Sequence, residues 1–414
     1  MNKMTLRDVE LKGKRVVMRV DFNVPLKDGV IKDDTRVQAA LPSIRYVLEK
    51  GASLVLMSHL GRPAGKGYEA EFSLKPVADF LAKLLGKPVA FAPDCLAADA
   101  AVAALKPGDV LMLENTRFYK EEEASIKQKP DQSEEEFKAK KAALKEKQKV
   151  MAQKLATYGD LFCNDAFGAA HRAHASTAVI CKFMKISVAG FLMERELDYL
   201  GRALEKPDRP FVAILGGAKV SDKLAVVQNL LTKVNVLIIG GGMAHTFLKA
   251  QGHAIGKSLC ELDQLDYARK MLDDAKKAGV QFLLPVDNVA ADKFDAEANT
   301  QLVGNEIPEG WMALDIGPKT TQLFADAIKK SKMVVWNGPM GCFEMPKFAG
   351  GTTGVCKAVA DSGAVTIIGG GDSVSAVNKS GLAPKMSHIS TGGGASLEFL
   401  EGKALPGVVS LNDK

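Results

Sequence analysis

The chain has 414 residues, of which 47% are hydrophobic and 25% are charged, and its formal net charge is +6. This composition is typical of a folded globular protein and excludes a disordered or fibrous chain, while the length favours two domains. Aromatic residues make up only 6% and the basic residues are not clustered, which argues against nucleic-acid binding. A modest positive charge suits a small anionic ligand better.

The first half contains short apolar runs that each end in polar or charged residues. These runs are RVVMRVDFNVP (15–25), ASLVLMSHLGRP (52–63), DVLMLENTRF (109–118) and LFCNDAFGAAHR (161–172). Continuous apolar strands alternating with helix-like stretches predict a parallel sheet covered on both faces. The polar residues at the strand ends are Asp21, Asn23, His59, Arg62, Glu114, Arg117, Asn164 and Asp165.

Residues 120–150 interrupt this pattern with a highly charged segment, KEEEASIKQKPDQSEEEFKAKKAALKEKQKV. Ser133 and Glu136 have the spacing of a helix capping box, and the pairs Glu134/Lys138 and Glu136/Lys140 suit a helix surface. The segment predicts a solvated helix, and a functional arm is the alternative.

The second half repeats the alternation with different chemistry, because its strands end mainly in glycine. The runs are FVAILGGAK (211–219), VNVLIIGGG (234–242), KMVVWNGPMG (332–341), AVTIIGGGDS (364–373) and HISTGGGASLEFL (388–400). We therefore predict two α/β domains with parallel sheets, separated near the charged helical stretch MERELDYLGRALEKPDRP (193–210).

Glycine-rich turns between a strand and a helix let a backbone approach a phosphate closely, although glycine also serves ordinary tight turns. In LGGAKVSDKL (215–224), Lys219 and Lys223 are spaced i,i+4, so we expect both amines to project from one helix face toward phosphate oxygens. Two solvated lysines are the alternative. Asp372 in GGGDS suits a Mg²⁺ ion on a bound nucleotide, and Glu344 suits a ribose.

The first half instead offers cations at separate strand or helix ends. Arginine side chains bind carboxylates and phosphates in a bidentate manner, and Asp21 among them suits a hydroxyl group. These cation-capable residues are Arg36, His59, Arg62, Arg117 and Arg172. For His171 and His174, local hydrogen bonding is favoured over metal binding, because neither has a Cys or His partner at a suitable spacing.

Two motif-like stretches fail as nucleotide signatures. GGGMAHTF (240–247) lacks the third glycine of a dinucleotide-binding fingerprint, and GHAIGKS (252–258) is one residue too short for a P-loop. The first failure argues against a nicotinamide-dependent dehydrogenase. The six cysteines are dispersed, and no signal peptide or membrane span is evident, which favours a cytoplasmic protein that binds no membrane.

The ordered motifs RVDFNVP, SHLGRP, LENTRF, NDAFGAAHRAHAS, LGGAKVSDK, GGGMAHTFLKAQG, WNGPMGCFE, GGGDS and STGGGASLEFLEGK resemble those of the phosphoglycerate kinase family. The resemblance covers essentially the whole chain. It implies two doubly wound, Rossmann-like α/β domains at 1–192 and 193–403, joined by a hinge helix, with the tail 404–414 packing back on the first domain. It also implies a hinge-bending, monomeric glycolytic enzyme that transfers a phosphoryl group between 1,3-bisphosphoglycerate and MgADP, giving 3-phosphoglycerate and MgATP. A non-catalytic nucleotide- or anion-binding protein of the same fold is the alternative. The 120–150 segment departs from the family by its length and charge.

The resemblance also implies site residues. The first domain would bind 3-phosphoglycerate through Asp21, Asn23, Arg36, His59, Arg62, Arg117 and Arg172. The second would bind the nucleotide through Gly217, Lys219, Lys223, Asn337, Glu344, Gly370, Gly371, Asp372 and Ser373, with Asp372 on Mg²⁺. The groups expected to stabilise charge on the moving phosphoryl group are Arg36, Lys219 and the helix N-terminus at Gly394. No general base is expected, because the carboxylate nucleophile is already ionised.

Overall fold

Residues 2–414 are described by a computed structural model, and they divide into two compact units. The first unit runs to Asp198 and also contains Ala404–Lys414, and the second is Tyr199–Lys403. The division falls between residues 198 and 199 rather than between 192 and 193. It lies inside the helix Phe191–Glu205, which is the segment that we expected to be a hinge.

The first unit is built on a parallel sheet of six strands. The strands of this unit are β1 (Arg15–Arg19), β2 (Leu26–Lys27), β3 (Val30–Ile31), β4 (Ser53–Met57), β5 (Ala90–Ala92), β6 (Val110–Leu113), β7 (Leu161–Asn164) and β8 (Ser187–Ala189). The sheet order is β5-β6-β4-β1-β7-β8, and β2 and β3 form a separate two-stranded hairpin. The helices are α1 (Thr35–Glu49), α2 (Lys75–Leu85), α3 (Asp99–Ala103), α4 (Glu134–Ala156) and α5 (Phe191–Glu205).

Burial explains why the apolar runs form the central strands. Every residue of β4 is buried, as are those of β6 and β7. Strands covered on both faces need continuous apolar sequence rather than alternation. The two edge strands β5 and β8 were not predicted, because they have only three residues each.

The charged segment is helical only from Glu134 onward, and that helix is only partly solvated. Ser133 Oγ accepts a hydrogen bond from Glu136 N at 3.2 Å, and Lys138 Nζ lies 2.7 Å from Glu134 Oε1. Helix α4 continues to Ala156, and from Leu144 onward it buries one face that includes Leu144, Met151 and Leu155. The prediction of a solvated helix is therefore correct only for its first turns, since a helix that docks on a domain must bury one face.

The second unit contains another parallel sheet of six strands and a three-stranded antiparallel sheet. The strands are β9 (Phe211–Leu215), β10 (Val236–Ile239), β11 (Gln281–Leu283), β12 (Asn288–Ala291), β13 (Thr300–Val303), β14 (Met312–Ile316), β15 (Met333–Asn337), β16 (Val365–Gly369) and β17 (His388–Ile389). The parallel sheet has the order β11-β10-β9-β15-β16-β17, and the antiparallel sheet has the order β13-β12-β14. The helices are α6 (Leu224–Leu231), α7 (Met243–Ala250), α8 (Leu265–Ala278), α9 (Pro318–Lys329), α10 (Gly350–Ala360), α11 (Gly371–Lys379) and α12 (Gly394–Leu400).

The two parallel sheets, each flanked by helices, confirm the predicted fold class. The antiparallel sheet was not predicted, because β12, β13 and β14 follow one another without the intervening helices on which the prediction relied. The C-terminal tail contains α13 (Pro406–Val409) and belongs to the first unit, where Gly407 N donates to Ala170 O at 2.8 Å. Within residues 2–414, no helix combines the length and apolar composition of a membrane span.

Candidate functional site

The strand order of the first unit brings the predicted anion-binding residues to the edge of the sheet that is formed by the carboxyl ends of its strands. Strands β6, β4, β1 and β7 are neighbours and parallel, so their carboxyl ends lie side by side. Ligands bind at this edge in open α/β sheets. The predicted residues follow these strands or begin the next helix: Asp21, Asn23, Arg36, His59, Arg62, Arg117 and Arg172.

Direct hydrogen bonds connect the loops that carry these residues. Arg36 Nη1 donates to Asp21 Oδ2 at 2.9 Å, which links the start of α1 to the end of β1. Asn23 Oδ1 accepts from Gly61 N at 2.8 Å, and Arg117 Nη1 donates to Gly61 O at 2.9 Å. Three strand ends therefore share one polar network, with Gly61 at its centre.

Glycine at position 61 is required by both conformation and space. Its φ is +63°, and a Cβ there would overlap the Phe72 ring. This turn follows directly on the buried end of β4 and leaves Arg62 exposed. Arg172 is exposed as well. The stretch VLMSHLGRP is thus a buried strand followed directly by a tight turn that carries polar residues.

Arg117 makes a contact that the sequence did not predict. Its Nε lies 2.8 Å from Glu123 Oε1, and its side chain is only 17% exposed. Glu123 belongs to the charged segment 120–150, so the first residues of that segment contact an arginine that we predict to bind the anion.

His59 is neutral, and its prediction as one of five cationic residues is wrong. The residue is 6% exposed, and Arg19 Nη2 lies 3.0 Å from its Nδ1. Burial, together with the neighbouring charge of Arg19, holds the pKa of His59 well below its usual range. Because a guanidinium only donates hydrogen bonds, Nδ1 must accept and the proton must sit on Nε2. His59 can therefore offer a neutral N–H donor to an anion.

Arg19 is the main residue near this edge that sequence reasoning missed. It is fully buried at the end of β1, its Nε donates to Ser176 Oγ at 2.8 Å, and its Nη1 donates to Val20 O. The available signal was an arginine inside the apolar run RVVMRVDF, since a buried charge requires partners. One of those partners, Glu122, is also fully buried.

Three other polar residues, at the ends of β6 and β7, anchor the fold. Glu114 accepts hydrogen bonds from Leu74 N and Asn115 N, both at 2.8 Å. Asn164 Nδ2 donates to Gly407 O at 3.0 Å, and Asp165 Oδ1 accepts from Leu192 N at 2.9 Å at the start of α5. Burial raises the pKa of Asp165 to about 7.

His174 lies in the same buried region as Glu122. Its Nδ1 is 3.9 Å from Glu122 Oε1, and burial lowers the pKa of His174 to about 3. Within residues 2–414, no group of three or more His, Cys, Asp or Glu side chains is arranged to hold a metal ion. The buried Nδ1 atom of His174 has no hydrogen-bond partner, so the local hydrogen bonding expected for this side chain is not observed at that atom.

In the second unit, the glycine-rich turns follow neighbouring strands of one parallel sheet. Gly217 follows β9, Asn337 ends β15, and Gly370 and Gly371 follow β16. Ser373 Oγ accepts from Gly338 N at 2.5 Å and ties two of these turns together. Asp372 and Glu344 are exposed, and so is Gly394, where α12 begins.

The prediction that Lys219 and Lys223 project from one helix face is wrong. The α-helix begins at Leu224, so Lys219 lies in the preceding turn and is exposed. Lys223 is buried in a 3₁₀ turn, and its Nζ donates to Gly216 O at 2.5 Å and to Asn337 O at 2.8 Å. Burial lowers the pKa of Lys223 to about 8. Of the two lysines, only Lys219 has an exposed side chain.

The turns around Lys223 approach so closely that Gly216 admits no side chain. A Cβ at this position would overlap the carbonyl oxygen of Pro339. The strand end after β9 therefore packs directly against the one after β15. An exposed lysine, exposed backbone at a helix start and a carboxylate in the first turn of α11 together suit a phosphorylated ligand with a bound cation.

The chain is similar to proteins of one family along nearly its whole length. The family model described as phosphoglycerate kinase matches residues 6–403. The chain is 55% identical over 421 residues to a curated phosphoglycerate kinase from Clostridium novyi, with 100% of both chains covered. It is 53% identical over 418 residues to one from Clostridium botulinum, covering 100% of this chain and 99% of the relative.

Solved structures give the same result. The chain resembles phosphoglycerate kinase from Coxiella burnetii with a TM-score of 0.88 and 41% identity, covering 99% of this chain and 98% of that one. It resembles the enzyme from Pyrococcus horikoshii with a TM-score of 0.80, 34% identity and the same coverage.

Proposed function

The chain belongs to the phosphoglycerate kinase family, and we propose that it reversibly transfers a phosphoryl group between 1,3-bisphosphoglycerate and MgADP, giving 3-phosphoglycerate and MgATP in glycolysis. The single observation that carries this proposal is the chemical difference between the two parallel sheets. The first presents arginines and polar side chains at its strand ends, and the second presents glycine turns with an exposed lysine.

The first unit supplies the proposed site for 3-phosphoglycerate. Arg62 and Arg172 are exposed cations suited to the phosphate, while Asp21 suits the hydroxyl group. Arg36 is tethered through one nitrogen and keeps other donors for the carboxylate. His59 supplies a neutral N–H, and the full proposed set is Asp21, Asn23, Arg36, His59, Arg62, Arg117 and Arg172.

The second unit supplies the proposed nucleotide site. Lys219 is the lysine available for phosphate oxygens, whereas Lys223 holds together the turns after β9 and β15. Glu344 is exposed and suits the ribose hydroxyls. The remaining proposed contacts are Gly217, Asn337, Gly370, Gly371 and Ser373.

The residues present fit a magnesium ion that arrives with the nucleotide. Mg²⁺ usually keeps several waters and takes one or two carboxylates beside substrate phosphates. Asp372 is one exposed carboxylate in the first turn of α11, which meets that requirement. When bound, the ion would neutralise charge on the phosphate oxygens. A dedicated protein cage for the metal is not needed.

The mechanism relies on positioning and charge stabilisation. The attacking carboxylate of 3-phosphoglycerate is ionised at neutral pH, so no side chain has to remove a proton. Arg36 and Lys219 are proposed to stabilise negative charge on the transferring phosphoryl group, with the backbone N–H at Gly394 as a third donor. These groups are preorganised when their own supports hold them in place, as Asp21 does for Arg36.

A coupled assay tests the proposal. The protein, 3-phosphoglycerate and MgATP are mixed with a dehydrogenase that reduces 1,3-bisphosphoglycerate at the expense of NADH. We expect NADH consumption that requires both substrates and magnesium. Binding of both substrates without turnover would contradict the proposal.

We further propose that the enzyme is a monomer and that it is cytoplasmic. The six free cysteines support the second part of this proposal, because they agree with a reducing compartment.

A further inference from the structure

Glu122 is a buried carboxylate that the proposed mechanism does not use. It lies at the root of the charged segment 120–150 and is 0% exposed. Burial raises the pKa of Glu122, whereas the charge of Arg19 lowers it. An unpaired buried carboxylate would be costly, so its partners indicate its role.

Ser176 connects Glu122 to Arg19. Ser176 Oγ donates to Glu122 Oε1 at 2.5 Å, and Ser176 N donates to Glu122 Oε2 at 3.1 Å. The same hydroxyl accepts from Arg19 Nε at 2.8 Å. A serine hydroxyl has one proton to donate, so these contacts fix a single direction of donation from Arg19 to Ser176 to Glu122.

Arg19, held in place by Ser176, in turn contacts His59. Its Nη2 lies 3.0 Å from His59 Nδ1, which keeps the imidazole proton on Nε2. Burial lowers the pKa of Arg19, and the negative charges of Glu122 and Asp21 oppose this shift. Glu122 is therefore a buried counter-charge for a guanidinium that has no exposed surface.

Resting on the proposed function, we propose that Glu122 is a positioning residue for the 3-phosphoglycerate site: through Ser176 and Arg19, it holds His59 as a fixed Nε2–H donor. Glu122 itself does not touch the substrate in this scheme. The charged segment thereby contributes to the substrate site through its first residues. This contribution does not involve the solvated turns of α4.

The backbone of the same residue secures this arrangement. Glu122 O accepts from Ala175 N at 2.9 Å and from Gln148 Nε2 at 3.0 Å. Gln148 lies on α4 and also donates to Ala173 O at 3.1 Å. The segment before α4 is thus joined to the loop after β7, which carries Arg172 and Ser176.

The test compares Glu122→Gln with the matched variant Glu121→Gln in the full-length enzyme. Glu121 is a neighbouring carboxylate of the same run and is not fully buried. We expect Glu122→Gln to raise the KM for 3-phosphoglycerate on the order of tenfold, because misplaced binding groups commonly cost this much or more. The KM for MgATP should change less than twofold, and Glu121→Gln should leave both values unchanged.

A second measurement separates positioning from a general loss of structure. In ¹⁵N-histidine spectra of the substrate-free protein, assigned with His59→Gln, we expect His59 to be a neutral Nε2–H tautomer from pH 5 to 9. In Glu122→Gln, a mixture of tautomers or a titration within that range should appear. Ser176→Ala, which keeps the carboxylate, should give the same change and serves if Glu122→Gln does not fold.

An unchanged KM for 3-phosphoglycerate in Glu122→Gln, or a raised KM with unchanged His59 spectra, would overturn the proposal. Failure of the proposed function itself is distinguishable, since the unmodified protein would then lack activity in the coupled assay. The spectra of His59 do not depend on turnover and report on the network in either case.

Discussion

Arg36 at the start of α1 is held by Asp21 at the end of β1, with 2.9 Å between Nη1 and Oδ2. The Asp21 side chain is 7% exposed and the Arg36 side chain is 34% exposed. A nearly buried carboxylate therefore orients a guanidinium that remains accessible. This arrangement gives Arg36 a fixed position, which charge stabilisation requires.

Replacing Arg36 with alanine should reduce kcat severely, by roughly 10²–10³-fold, because one preorganised donor for the transferring group is lost. The KM for MgATP should be nearly unchanged. Arg45→Ala is the control, since Arg45 is an exposed arginine on the same helix. Single-turnover kinetics measure the transfer step directly, and a near-normal rate for Arg36→Ala would remove the assigned role.

Lys219→Ala should also lower kcat, by roughly 10²-fold, because Lys219 is the exposed lysine after β9. Lys249→Ala, which removes an exposed lysine at the end of α7, is the matched control. Steady-state kinetics with both substrates varied would separate kcat from the two KM values. If Lys219→Ala kept its kcat and changed only the KM for MgATP, Lys219 would bind the nucleotide without stabilising the transition state.

Glu123→Gln should lower the KM for 3-phosphoglycerate by about two- to fivefold, in contrast to Glu122→Gln. Glu123 Oε1 lies 2.8 Å from Arg117 Nε, and its carboxylate competes with an anionic ligand for that charge. The Gln amide keeps an acceptor for Arg117, and partly exposed pairs are worth about 1 kcal/mol or less. The effect should shrink at high salt.

The control for this variant is Glu134→Gln. Glu134 pairs with Lys138 on the exposed first turn of α4, with both side chains more than 70% exposed. Its replacement should leave the KM unchanged at every salt concentration. A rise in KM for Glu123→Gln would mean that Glu123 mainly orients Arg117.

Asp165→Asn should change how stability depends on pH. Burial raises the pKa of Asp165 from 3.8 to about 7 in the folded protein. The folded state then binds more protons than the unfolded state between these values, so this contribution to stability is present below about pH 4 and lost as the pH rises through 7. The size of the effect is on the order of 4 kcal/mol.

Urea denaturation at pH 5 and pH 8 measures this difference. The unmodified protein should lose more stability between these values than Asp165→Asn does, and the exposed Asp131→Asn should behave like the unmodified protein. Equal pH dependence in Asp165→Asn and the unmodified protein would show that Asp165 does not titrate in this range.

The sequence by itself determined the two α/β units and the edge of each sheet that carries polar or glycine-rich residues. Apolar runs such as the one ending at Met57 must be buried on both faces, and parallel order then brings strand ends such as Asn23 and Gly61 together. These features follow from local composition and chain order.

Only the tertiary structure decided which charges are exposed. Lys219 and Lys223 have the same side chain at helical spacing, but Lys223 is buried because the turns after β9 and β15 place two carbonyl oxygens around its amine. The sequence predicts a cationic His59, but in the folded protein burial and Arg19, which lies beside its Nδ1 atom, keep the imidazole neutral. Glu122 and Glu123 are adjacent in a charged run, and one is buried against Ser176 while the other meets Arg117. The protonation state of a side chain and its accessibility to a ligand depend on neighbours that are distant in sequence, and no local sequence pattern specifies those neighbours.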